Sequence, residues 1–312
     1  MAKKTRAHGQ GAPSDLHLRR RRGRIGEKEA QMRNGHVGTH GFGTFDAAAW
    51  IAEGDGLRTS AEAMRELWRA RKAAFDTALS ASGGKTGPVI ARDWTAITGM
   101  PRASVLLLAY AVEMYLKAGV VKAFAGCSEA SLDKCLRSFG HRYEDIAKEI
   151  EFSPNAGDAE HFTALGQMVT TGARYPVAVA AGTAPGYEDR AVLENARTFP
   201  IWSEDNFAEW LDLAARLRAH AQQIDGDPAC AAHFGSQQID SDGWIAWRRG
   251  GHLSPRITWK PSSEQRKEKT GRAELHAMMK REAGLFLLPL HDWPRARVFL
   301  IGKKDARDDL IE

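Results

Sequence analysis

The chain has 312 residues, of which 43% are apolar and 27% charged, an ordinary globular composition that fits one large domain or a domain with a smaller unit. Its three cysteines, Cys127, Cys135 and Cys230, are odd in number and match no zinc spacing, which argues against a disulfide framework and for reduced thiols. The net charge of +5 is unevenly spread: residues 1–45 carry +7, residues 46–243 carry −8 and residues 244–312 carry +6.

The N-terminal stretch, residues 1–45, contains Arg19, Arg20, Arg21, Arg22 and Arg24 in one run, many glycines and almost no apolar periodicity. Such a segment buries too little surface to offset its ordering entropy, so it reads as a disordered basic leader. No apolar stretch follows the basic residues as a secretory signal would require, and the expectation is a cytoplasmic protein. Basic ends suit an anionic partner such as nucleic acid, or else they serve solubility.

Order is expected from Phe45, with a short helix over 46–53 capped by Asp46. A second helix, capped by Thr59 or Ser60, places Met64, Leu67, Trp68, Phe75 and Leu79 on one side. The run GGKTGP at 83–88 lacks the full phosphate-loop spacing and reads as a linker.

The most apolar stretch, ASVLLLAYAVEMYLKAGVVKAFAG, is expected to form a central helix from Pro101 to Phe124. Glu113, Lys117 and Lys122 interrupt it, so no uncharged run of about 18 residues exists to span a bilayer, and no membrane association is expected. Glu113 and Lys117 are an (i, i+4) pair in the favourable orientation. Leu107, Ala111, Met114 and Leu116 are expected in the core.

Shorter helices follow over 128–136, 142–151 and 157–172, then a loop holding ARYPV and GTAPGY, then helices over 188–197 and 203–224. The last has Ser203 as cap and Phe207, Trp210, Leu211, Ala214 and Leu217 on one face. Beyond Asp225, WIAWRRGGHLSPRITWK alternates about a Gly-Gly turn and reads as a hairpin. A charged helix over 262–283 is expected, with LFLLPL and ARVFLIG as short strands flanking HDWP. The fold class is therefore mainly α, in three parts: the leader 1–45, a helical domain 46–228 and a small basic α+β appendage 229–312.

Three motifs in order resemble the HEPN family, an all-α nucleic-acid-associated domain of prokaryotes. AYAVEMYLKAGVV, 109–121, is similar to its small-x-x-E-x-x-LK-A helix. SFGHRYEDIAKEI is similar to its GH turn, although Arg142 stands where an acidic residue is usual. ARYPV, containing Arg174 and Tyr175, is similar to its RYP segment. The resemblance covers about residues 60–225. It implies an antiparallel helical bundle, frequently dimeric, and for many members a metal-independent endoribonuclease of the toxin or antiviral-defence kind, working through an Arg-x4–6-His signature.

That signature occurs here only as Arg33/His40, in the leader, and carries no weight. The shorter Arg-x3-His spacing recurs instead, as Arg137/His141, Arg216/His220, Arg248/His252 and Arg272/His276, and on a helix it puts both side chains on one face. Arg216 and His220 are the first catalytic candidates, because they share a face of a core helix, and Arg137 and His141 the second. Each also has a structural reading: His141 fixing the turn after Gly140, and Arg216/His220 as a solvated helix end. Glu113, Lys117, Arg174 and Tyr175 are expected to form a polar cluster near His141.

No metal or other cofactor is expected, and Cys230-x2-His233 lacks a second pair. Expected partners are RNA, a second copy in a homodimer, or a protein partner. The alternative function is a non-catalytic binding or dimerisation module; a DNA-binding regulator through a basic β-ribbon is a third class.

Overall fold

The structure, a computed structural model, describes residues 37–38, 41–83, 88–172, 200–267, 270–301 and 309–310. The Arg19–Arg24 run, Arg33/His40, Arg174, Tyr175, the expected helix over 188–197 and most of the 83–88 linker lie outside the described residues.

The chain is mostly helical, with a small C-terminal sheet. Among the described residues six helices come first: α1 Ala47–Ala81, α2 Pro88–Ala123, α3 Glu129–Phe139, α4 Tyr143–Glu149, α5 Asp158–Gln167 with a π turn over Met168–Gly172, and α6 Glu204–Gly226. The sheet holds β1 His233–Gln238, β2 Trp244–Arg249, β3 Arg256–Lys260, β4 Arg297–Leu300 and the two-residue β5 Asp309–Leu310. Helices α7 Arg272–Arg281 and α8 Leu287–Asp292 lie between β3 and β4.

Helix α1 is continuous where two helices were expected. Gly54, just past the expected end of the first helix, and the expected caps Thr59 and Ser60 lie inside α1. Gly54 lies under the Tyr115 ring, where a Cβ would stand 2.6 Å from a ring carbon, so it permits close approach of α1 to α2. Thr59 and Ser60 donate back to the carbonyls of Asp55 and Gly56 one turn earlier instead of capping a new start. Asp46 caps the helix by accepting from the amide of Ala48 at 2.9 Å.

Helix α2 begins at Pro88, thirteen residues before Pro101, which sits inside it. Pro101 costs one intrahelical hydrogen bond. The extra turns are held by packing: Ile97 is buried against a cluster with Trp68 and Phe75 of α1. Ala111 and Leu116 are buried as expected, whereas Leu107 and Met114 are half-buried at the edge of the core. Among the described residues no strand lies between 100 and 172. By length and composition the stretch Ile97–Ala123 could cross a membrane, and 72% of its apolar window is buried inside the fold.

Order reaches back before Phe45. Val37 is buried, donates to the carbonyl of Cys127 and accepts from the amide of Gly126, both at 2.8 Å.

The sheet order is β1-β2-β3-β4-β5, antiparallel except for the parallel β3–β4 pair, which needs the α7–α8 crossover. The expected hairpin is β2–β3, with Trp244 opposite Lys260. Its turn residues Gly250 and Gly251 have φ of +73° and +60°. A Cβ on Gly251 would lie 1.8 Å from the carbonyl oxygen of Ile224, so the turn is pressed against the end of α6. LFLLPL, expected as a strand, instead leads into α8. The expected 262–283 helix is confined to α7, preceded by one 3₁₀ turn at Gln265–Lys267.

Both faces of the sheet are covered, and the period of two decides which residue goes where. Trp244 and Ala246 join the helical core, while Ile245, Ile257, Trp259 and Val298 pack with Leu275, Met278 and Met279 of α7. Arg256 and Thr258 point toward the helices. The Arg256 guanidinium lies between Phe124 and Phe299, 4.1 and 3.7 Å from the ring centres, and pairs with Glu149. Arg248, buried, donates to Lys122 O near the end of α2 and Ile224 O near the end of α6, at 3.1 and 3.2 Å. It thereby satisfies carbonyls at two helix C-termini at once.

Candidate functional site

Glu113 is the buried carboxylate around which the first cluster forms, only 3% exposed in the middle of α2. A charge so placed is tolerable only with hydrogen-bonding partners on both oxygens. Lys117, one turn on, donates to Oε1 at 2.5 Å, and His141 Nδ1 lies 2.8 Å from Oε2. The Tyr143 hydroxyl donates to Ala109 O at 3.0 Å and stands 3.4 Å from Glu113 Oε2. Burial, with the nearby Glu113 charge second, pushes the Tyr143 phenol far above its ordinary pKa, so it stays a proton donor.

Local sequence explains why His141 arrives there. Gly140 ends α3 with φ of +55°, a conformation that favours glycine, and turns the chain so that His141, in the turn before α4, and Tyr143, its first residue, face α2. Gly166 of α5 passes so close that a Cβ would lie 2.9 Å from the His141 carbonyl oxygen. The Tyr110 ring meets the imidazole edge-on at 6.5 Å, and the Lys117 ammonium lies 5.4 Å from the Trp50 ring centre. The His141 side chain is 32% exposed and lines an open cleft of about 400 Å³ between α4 and α5, with Arg142, Phe162, Gln167 and Thr170.

Chemically this is a buried acid that orients a histidine at the edge of a cleft. Since a carboxylate can only accept, the Glu113 contact fixes the proton on Nδ1 and leaves Nε2 as the basic nitrogen.

The first catalytic pair is placed differently. Arg216 Nη1 and Nη2 donate to Asp158 at 2.8 and 2.6 Å, and its Nε donates to Asp212 at 2.8 Å, so all three nitrogens are engaged. These carboxylates hold the guanidinium well above its ordinary pKa, against the effect of burial. His220 Nε2 donates to the carbonyl of Ile150 at 2.8 Å, and its ring meets Phe152 edge-on at 5.5 Å. The two residues share a helix face, as expected, and that face is fastened to the segment between α4 and α5.

Arg137 turns back to Asp133 on its own helix and is 79% exposed, while His141 turns to Glu113, so the second pair is split by the glycine turn. Arg248 and His252 hold Ile224 O and Asp227 respectively. Arg272 and His276 both lie against Trp293.

The structure thus brings Glu113, Lys117 and His141 together, while Arg174 and Tyr175, expected with them, lie outside the described residues. Tyr143, Tyr110 and Trp50 complete the cluster and were not singled out beforehand. For Tyr143 a signal existed, an aromatic residue two places after the Gly-His turn at the start of an amphipathic helix. Among the described residues no group of three or more His, Cys, Asp or Glu could hold a metal ion. Comparison with known proteins returned no matching family model, no matching curated protein and no matching solved structure.

Proposed function

We propose that this protein is a HEPN-like, RNA-engaging protein that cuts RNA without metal, as an endoribonuclease of the toxin or antiviral-defence type. The observation that carries the proposal is the 2.8 Å pairing of buried Glu113 with His141 at the edge of the cleft. The three-motif resemblance and the basic leader support it.

In this reading His141 Nε2 takes the proton from a ribose 2′-hydroxyl. The 2′-oxygen then attacks the adjacent phosphorus, the P–O5′ bond breaks, and the leaving 5′-oxygen takes a proton from water. The products are a 2′,3′-cyclic phosphate and a free 5′-hydroxyl. Glu113 fixes the tautomer and stabilises the imidazolium that forms. The protein works in the cytoplasm as a homodimer, away from membranes, in this proposal.

The test is incubation of purified protein with total RNA in EDTA, comparing wild type, His141→Ala and His220→Ala. Cutting in EDTA that is lost in His141→Ala and kept in His220→Ala is the expected result. Cutting that vanishes with EDTA, or persists in His141→Ala, overturns the proposal.

A second reading, a non-catalytic binding or dimerisation module, is favoured by one observation. The Arg216/His220 pair, which best shared a helix face, is spent on holding Asp158 and Ile150. No cutting of any RNA by the wild type would select this reading.

A further inference from the structure

The layer formed by α7 and α8 covers one face of the sheet and leaves two stacked rings half-exposed, the Trp293 ring also packing against the core beneath α7. His276 and Trp293 are stacked face to face, with ring centres 4.5 Å apart and planes 4° from parallel. Arg272, one turn before His276, lies 5.2 Å from the Trp293 ring centre and donates to the Trp293 carbonyl at 3.4 Å.

The neighbouring residue, Asp292, is a buried carboxylate shared by three basic side chains: Arg249 at 3.0 Å, Arg295 at 2.7 Å and His291 at 3.3 Å. Lys280 and Arg281 are exposed at the end of α7. Glu274 and Glu282 are the other acidic residues of the layer, so residues 271–295 hold four Lys/Arg (Arg272, Lys280, Arg281 and Arg295) against three acids, and Arg249 of β2 adds a fifth cation beside Asp292. The local field is felt by His276, whose pKa is lowered by partial burial and then by Lys280 and Arg272. Leu287 and Leu288 stand exposed on α8 one turn before His291, an apolar strip beside the cations.

Parallel aromatic rings bordered by basic side chains and exposed apolar groups suit unstacked bases on a phosphate chain, since every base has a π-face and every phosphate a charge. A folded protein ligand would offer no such repeat of planar and anionic groups. We infer that the α7–α8 face is a docking surface for single-stranded RNA, with the His276–Trp293 stack receiving a base and Lys280 and Arg281 contacting phosphates. The inference rests on the RNA-engaging reading above and adds to it where the strand is held, on the side of the sheet opposite the helical core.

The probe is a fluorescein-labelled 2′-O-methyl oligouridylate 12-mer, which lacks the attacking hydroxyl, so binding is measured apart from cutting. Fluorescence anisotropy of the full chain in EDTA is expected to show at least five-fold weaker binding for His276→Ala and near-normal binding for His276→Phe, which keeps a stacking ring. The double variant Lys280→Gln/Arg281→Gln should flatten the slope of log K against log salt by about 0.7 for each phosphate that is no longer neutralised. Arg71→Gln, an exposed arginine on α1, should bind as wild type does. Affinity within two-fold of wild type for His276→Ala, or an unchanged salt slope for the double variant, overturns the inference. So does an equal weakening in Arg71→Gln, or a wild type that binds no oligomer. Stack-dependent binding without RNA cutting keeps this inference and removes the nuclease; cutting through His141 with unaltered binding in His276→Ala does the reverse.

Discussion

Arg216 and Asp158, 58 residues apart, meet through two parallel hydrogen bonds of 2.8 and 2.6 Å, and Asp158 keeps only 2% of its side chain exposed. The amide of Asn155 also donates to Asp158 at 2.6 Å. This knot ties α6 to the start of α5, and it gives a candidate catalytic arginine a structural employment.

Removing one member of the knot leaves the other unpaired. Arg216→Ala should lower stability by roughly 3–5 kcal/mol, the cost typical of breaking a buried pair from one side. Chemical denaturation measures it, and a loss under about 1 kcal/mol would show that Asp158 finds water instead.

Glu113→Lys places a second cation beside Lys117 and His141 in a buried setting and should also cost roughly 3–5 kcal/mol. Glu113→Gln keeps the shape and should cost less, while removing the charge that orients His141. Thermal melts unchanged in Glu113→Lys would contradict the burial of this site.

Acid should weaken the fold through carboxylates whose pKa is depressed. In Asp55 the hydrogen bond from Arg218 lowers it; in Asp158 and Asp292 burial acts upward but arginine hydrogen bonds and charge outweigh it. A folded-state pKa below the unfolded value means the stabilisation is present above about pH 4 and is lost as pH falls through the folded values. Melting temperature should therefore fall below about pH 4 on account of these groups, and less steeply in Asp158→Asn.

Gly54→Val should separate α1 from α2, because a Cβ there meets the Tyr115 ring at 2.6 Å. A loss of roughly 1–3 kcal/mol is expected from overpacking, seen as an earlier denaturation midpoint with an unchanged slope.

Removing residues 1–36 takes away the Arg19–Arg24 run and leaves Val37 at its buried position. If the leader carries phosphate affinity, the salt slope of RNA binding flattens while melting temperature holds. An identical slope would place all the affinity on the folded part.

Much of this was legible in the sequence. The core helix, the Gly-Gly hairpin and the cluster of Glu113, Lys117 and His141 followed from apolar patterning, turn chemistry and motif spacing. The continuity of α1 did not, because a hydroxyl that caps a new helix and one that bonds back to the preceding turn, as those of Thr59 and Ser60 do, look alike in sequence. LFLLPL misled for a related reason: a short apolar run carries no period, and only packing against the sheet decided for helix. The employment of Arg216 depended on Asp158, a residue of another helix that no local pattern connects to it.

The double grip of Arg248 has a consequence for how this chain can be dissected. Its guanidinium belongs to the sheet, yet the carbonyls it satisfies belong to α2 and α6. Phe124 likewise rests against Arg256 of β3. A chain ended at residue 228 would keep the sequence of its helices but strip Ile224 O of both its donors, the Arg248 guanidinium and the His252 amide, leave Lys122 O with the Ala125 amide alone, and take the lid off a large aromatic ring. The seam between the helices and the sheet is a shared core rather than a linker, so the two parts should unfold in a single transition.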